Sequence, residues 1–322
     1  MGQMARDLCV MHSRFPFSGF ACSSVEHLNV QTLALRPPLI GNKTRYFHGR
    51  RFFSFSCLVS GERNDLAELD VRFPGDYEEL LDQAKTATEL ALRDSKQLLE
   101  VEFPTAGLES VPGDGEGGIE MTGSMQLIRE FCDRLIVPEK ATRTRVFFPE
   151  ANEVDFARQS AFEGTLLKLD YLTKPSLLED FGFVTKVKMT DRVKPEDELF
   201  MVAYPYFNVN EMLVVEELYN DAVANTSRKL IIFNGELDRI RSGYYPPFFY
   251  PKLAALTKTL LPKLETVYYV HNFKGRNGGT LFRSYPGPWK VMRKVRGSYI
   301  CLHQQEEMPS LKEVALDILP SA

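Results

Sequence analysis

The stretch LFMVAYPYFNVNEMLVVEELYNDAVANTSRKLIIFNG, residues 199–235, reads as one complete strand–helix–strand unit. Leu199 to Tyr204 is a continuous apolar run, the pattern of a parallel strand buried on both faces. Pro205 ends it. Asn208 and Glu211 then cap a helix to about Ala224. Lys229 to Phe233 is a second buried strand, closed by Asn234-Gly235.

The same alternation extends both ways. Asp76 with Glu79 forms a capping-box pattern that opens a helix over Tyr77–Gln97, with Leu80, Leu81, Ala84, Ala87, Ala91 and Leu92 on one face. Leu98 to Phe103, LLEVEF, is the first strand, stopped by Pro104. A helix follows over about Ser124–Leu135, and Arg145 to Phe148 is the next strand, ended by Pro149. Asn152 with Asp155 caps a helix to about Phe162, Leu166–Leu169 is a short strand, and Phe183–Met189 alternates as an edge strand. Downstream, Pro251 starts a helix and Thr266–Val270 is a strand. From Gly279 the pattern becomes β-hairpins: Thr280–Tyr285, Lys290–Val295 and Tyr299–His303, with Gly297-Ser298 as a tight turn. Ser310 with Glu313 caps a last helix. This order predicts a three-layer α/β fold with a mostly parallel, Rossmann-like sheet and antiparallel C-terminal hairpins. No internal repeat or second linker appears, so residues 76–322 read as a single domain.

Residues 1–60 differ in kind. They hold seven Lys/Arg, two acids and seven serines, without an amphipathic core pattern or an apolar signal region. That is the composition of an organelle transit peptide, plastid rather than mitochondrial, cleaved around Cys57–Arg63, with 61–75 as a linker. Without residues 1–60 the chain carries 32 basic and 41 acidic residues, a net charge of −9 against −4 for the whole. Such a surface disfavours nucleic acid as a partner. No run reaches the roughly 18 apolar residues of a membrane helix. The remaining Cys132 and Cys301 form no CxxC or zinc spacing, so no metal or cofactor is expected.

Four constellations stand out. The first is the loop inside Phe103–Phe131, with six glycines and no basic residue before Arg129. Gly113-Asp114-Gly115-Glu116 fits neither a Walker loop nor a dinucleotide loop, and its acids repel phosphate unless a divalent metal intervenes. It reads as a solvated loop, a docking loop for a partner, or a metal–nucleotide site. The second follows the strand KLIIF at the edge where such sheets bind ligands: Glu236, Asp238, Arg239 and Arg241, then the aromatic run Tyr244-Tyr245-Pro-Pro-Phe-Phe-Tyr250. The charged set is either an internal ion-pair network or a ligand site, and the aromatics are either core or contact surface. The third is His271, a general-base candidate or a strand-end histidine bonded to backbone. The fourth is Trp289, the only Trp, either a core plug or an interface anchor.

Several long stretches, among them FPTAGLESVPGDGEGGIEMT, FFPEANEV, DYLTKPSL, RVKPEDELF, KLIIFNGELDRIRSGYYP, YYVHNFKG and MPSLKEVALDIL, resemble a plant and cyanobacterial family of uncharacterised domains. That family also occurs appended to a chloroplast adenylate kinase. The resemblance covers about Asp76 to Ala322. It implies a stromal auxiliary factor of photosystem II biogenesis, acting by protein binding, with transient contact at the thylakoid membrane. The partners it implies are the chlorophyll-binding core antenna subunit, a thylakoid assembly partner and an Albino3-type insertase. No catalytic residue is carried over from it. The rival expectation is a nucleotide- or anion-binding, enzyme-like domain with its site at the sheet edge.

Overall fold

The computed structural model describes residues 71–111, 117–173, 188–206 and 210–321, with backbone only for 117–121. The expected transit peptide, the Gly113–Glu116 segment, Asn208 and the Phe183–Met189 strand, bar its last residues, lie outside the described residues. The chain clusters into two units, and everything described belongs to the second, Val59–Ala322.

Among the described residues nine strands form one sheet: β1 (Leu98–Glu102), β2 (Thr144–Glu150), β3 (Lys168–Thr173), β4 (Leu199–Ala203), β5 (Lys229–Phe233), β6 (Glu265–Phe273), β7 (Gly279–Ser284), β8 (Trp289–Val295) and β9 (Ser298–Gln305). Their order is β3-β2-β4-β5-β1-β6-β7-β8-β9. β3 to β6 across the sheet are parallel, and β6 to β9 are antiparallel. The mostly parallel α/β fold with C-terminal hairpins is therefore as the sequence pattern predicts.

Period-two alternation of the buried strands feeds two apolar layers. Leu99, Val101, Ile231, Phe233, Val146 and Met201 pack under α1 (Tyr77–Arg93), α2 (Gly117–Leu135) and α4 (Ala151–Gln159), and a single turn, α3 (Pro138–Ala141), leads from α2 into β2. Leu98, Phe147, Phe200, Leu230 and Ile232 pack on the other face. There they meet α5 (Met189–Arg192), where the last residue of the expected Phe183–Met189 strand is helical, α6 (Glu211–Leu218), α7 (Asp238–Arg241) and α8 (Pro251–Thr259). The second face is not continuous. A separate apolar cluster of Tyr269, Leu281, Trp289, Val291, Val314 and Leu319 lies under the C-terminal helical segment 311–321.

Several boundaries differ from expectation, each for a local reason. β2 runs through Pro149, because β4 pairs with it only as far as Phe147, so the missing N–H removes no bond from that ladder. α4 starts at Ala151, and its cap is Glu150 with Glu153, whose carboxylate accepts the Glu150 N–H at 3.1 Å. The expected caps Asn152 and Asp155 sit inside the helix. β6 extends to Phe273, so His271 is paired with Leu281 within a ladder rather than ending a strand. The last tight turn is Arg296-Gly297, both at positive φ (51° and 85°), with Val295 opposite Ser298. Residues 71–75 of the expected linker are part of the fold. Phe73 is buried, stacked on Tyr299 at 4.0 Å and edge-on to Phe282 at 5.7 Å.

Candidate functional site

β1 and β5 are neighbours whose outgoing chains leave to opposite faces, β1 toward α2 and β5 toward α7. A crevice must open between their carboxyl ends, where open α/β sheets place ligands. Asn234 sets its width. It follows β5 at φ 49°, its Oδ1 accepts the Phe103 N–H at 2.9 Å, and its own N–H reaches Val101 O at 2.8 Å. Gly235 must be small, since a Cβ there would come within 2.9 Å of Ile232 Cγ2. Glu236 turns the chain at φ 46°, and its N–H donates to Glu102 Oε2 at 3.1 Å.

Two acids on the central strand anchor what lies behind the crevice. Glu100 is fully buried. Arg241 donates to it twice, at 2.8 and 2.5 Å, and the Thr266 hydroxyl donates at 2.5 Å. Burial works against the Arg241 charge, but the Glu100 carboxylate outweighs it and holds the guanidinium protonated. Asp238 accepts from Arg241 at 3.3 Å and from the Tyr269 hydroxyl at 2.5 Å, and its Oδ2 lies 3.8 Å from His271 Nδ1. Burial pushes the Tyr269 phenol well up, and the Asp238 charge adds to this. Burial also lowers the His271 imidazole, against the pull of Asp238, so the ring is neutral near neutral pH. Glu102 is pushed well above the carboxylate range, first by burial and then by Glu100, Asp238 and Glu236. This polar belt separates the two apolar clusters of the second face.

In front of the belt is a cavity of about 330 Å3. Glu102, Glu236, Asp238, Arg239, Tyr244 and His271 line it, together with Ser110 and Val111. The latter two begin the glycine loop, which is tied to β6 where Asn272 Nδ2 donates to Leu108 O and Ser110 O, both at 2.8 Å. Larger grooves lie elsewhere, one of about 970 Å3 along α1, but none of the buried belt lines that groove.

Five of the residues expected at the sheet edge thus share one cavity: Glu236, Asp238, Arg239, Tyr244 and His271. Arg241 sits behind it, committed to Glu100, and Glu236 pairs with Arg239 at 2.5 Å. Trp289 is 3% exposed and packs edge-on to Tyr269 at 5.1 Å, beneath Arg283, so it is a core plug and not a surface anchor. The aromatic run divides. Tyr244, Phe248 and Phe249 are 68, 88 and 72% exposed, while Tyr245 is half-buried between Tyr244 and Tyr250. Gly113, Asp114, Gly115 and Glu116 lie outside the described residues.

Sequence reading missed Glu100 and Glu102. Their signal was available: two acids at alternate positions on an apolar strand, where burial is costly unless partners wait.

Residues 74–316 match the profile of the family described as Domain of unknown function (DUF1995). The chain belongs to this family. The DUF1995 match begins one residue after the buried Phe73 and ends inside the C-terminal helical segment, so it spans the whole described sheet. No curated protein matches the chain, and no solved structure matches it.

Proposed function

We propose that this DUF1995 domain is a chloroplast stromal auxiliary factor that assists photosystem II assembly by binding protein. The observation that carries the reading is the exposed aromatic run, Tyr244, Phe248 and Phe249, of which Tyr244 lines the sheet-edge cavity. Aromatic side chains left this open on an α/β scaffold are contact groups in search of a partner. The quoted sequence stretches, which resemble the chloroplast protein Low PSII Accumulation 3, supply the partners: the chlorophyll-binding core antenna subunit, a thylakoid assembly partner and an Albino3-type insertase. The basic, serine-bearing residues 1–60 support plastid import.

The acid excess of the cavity weighs against the rival anion site. Two carboxylates, Glu236 and Asp238, line it against the Arg239 guanidinium, which Glu236 already engages, and burial keeps the Glu102 carboxyl protonated. A phosphate there meets repulsion rather than a cradle.

The test is loss of the protein in the plant, followed by pulse labelling of thylakoid proteins. Core antenna subunit that is synthesised but fails to accumulate in photosystem II is the expected result. Normal accumulation overturns the reading.

A further inference from the structure

We infer that the cavity and the aromatic run form one docking surface for a polypeptide segment that pairs an apolar stretch with a lysine or arginine at its end. This rests on the protein-binding reading above and names the partner chemistry.

The two halves of the surface are contiguous. Tyr244 lines the cavity and stacks edge-on with Tyr245 at 5.2 Å, which in turn meets Tyr250 at 5.5 Å. Phe248 and Phe249 pack against each other at 5.1 Å and are the most exposed aromatics of the run. An apolar stretch laid on these rings removes their surface from water.

Charge complementarity selects what enters the cavity. Arg241 is committed to the buried Glu100, and the pair with Glu236 offsets the Arg239 charge, so the two guanidinium groups leave no net positive charge for an incoming anion. Among the described residues Asp238 accepts one hydrogen bond at each oxygen, from Arg241 and Tyr269, and a carboxylate oxygen has two acceptor positions. Ser110 and Tyr244 add further oxygens to the wall. Unspent acceptors in a confined space call for a donor-rich cation, and an ammonium or guanidinium on a flexible stem fits one. A chain that is apolar along its length and basic at its end satisfies both halves at once. This is also the chemistry of a membrane-helix terminus.

The experiment titrates the full chain with three labelled peptides sharing one apolar stretch, ended by a lysine pair, a glutamate pair or a norleucine pair, with n-butylammonium as the free-amine control. Binding of the lysine peptide about tenfold tighter than the glutamate peptide is expected. Glu236→Gln and Asp238→Asn should shrink that difference, and Phe248→Ser with Phe249→Ser should weaken all three peptides. Asp238 also holds the belt together, so Glu236→Gln at the rim serves where Asp238→Asn fails to fold. Equal binding of the three peptides overturns the cation half while leaving protein binding intact. Binding of n-butylammonium as tight as the lysine peptide, unaffected by the Phe248 and Phe249 changes, overturns the docking surface in favour of a free-amine site. No binding of any peptide overturns the inference outright, and the thylakoid labelling result then stands alone as the judge of the function.

Discussion

Arg239 and Arg241 lie two positions apart on α7 and illustrate how burial decides what a charge is worth. Arg239 is half exposed, and its pair with Glu236 is screened by solvent, so Arg239→Met should cost under about 1 kcal/mol. Arg241 faces the fully buried Glu100. Arg241→Met strands that carboxylate and should cost about 3–5 kcal/mol in urea unfolding, while adding Glu100→Met should recover much of the loss. Glu153 offers a second residue-scale expectation. Burial raises its carboxyl to about 7, against the opposing hydrogen bond from the Glu150 N–H. A raised folded pKa means that the neutral form is favoured in the native state. Its contribution to stability is therefore full below the ordinary carboxylate pKa and is lost as pH rises through about 7. Glu153→Gln keeps an oxygen for the cap and removes the penalty. Melting curves between about pH 5 and about pH 8 should show the variant gaining on the parent at the alkaline end, on the order of 1 kcal/mol after solvent screening. None of this was readable from sequence, which shows that Glu100, Glu153 and Arg241 are charged but not what surrounds them.

The elements were legible where local chemistry is strong. Asp76 caps α1 as its spacing predicts, its carboxylate accepting the Glu79 N–H at 2.8 Å, although the Glu79 carboxylate accepts the Gly75 N–H at 2.8 Å instead of closing the box on Asp76. Asp76→Ala should cost about 1 kcal/mol of stability by chemical denaturation. The buried strands were legible because runs such as KLIIF have nowhere else to go in a three-layer fold. Boundaries failed where tertiary pairing overrode a local breaker. Pro149 continues β2 because it lies past the β4 ladder, and His271 stays in β6 because Leu281 pairs with it. The site was half legible. Residues following β5 were found from their place at a strand end, whereas β1 hid its acids inside an apolar run. The aromatic run 244–250 could not be divided into core and surface from composition, since aromatics serve both. Its exposure now gives a clean expectation: Phe248→Ser with Phe249→Ser should leave the melting temperature nearly unchanged, within about 0.5 kcal/mol, so any loss of partner binding is a surface effect.

At the scale of the whole molecule, the question is where the folding unit begins. Sequence composition places the start at Asp76, after a linker, and the family match starts at residue 74. The packing puts it earlier. Phe73 fills a slot between Phe282 of β7 and Tyr299 of β9, Lys290 of β8 donates to Val71 O at 3.0 Å, and Arg72 pairs with Glu79 at 2.9 Å. This short segment thus ties the antiparallel hairpins to α1, which otherwise meet the parallel half of the sheet through β6. Two truncations separate the alternatives. A chain starting at Val71 keeps every one of these contacts and should melt with the full chain. A chain starting at Asp76 loses Phe73 and uncovers Phe282 and Tyr299, a change comparable to a core Phe→Ala substitution at about 3–5 kcal/mol. Because the loss falls on the hairpins, amide exchange in β7 to β9 should rise more than in β2 to β5. Equal stability of the two truncated chains would place Phe73 outside the cooperative unit. It would also return the boundary to the position that charge and composition suggest.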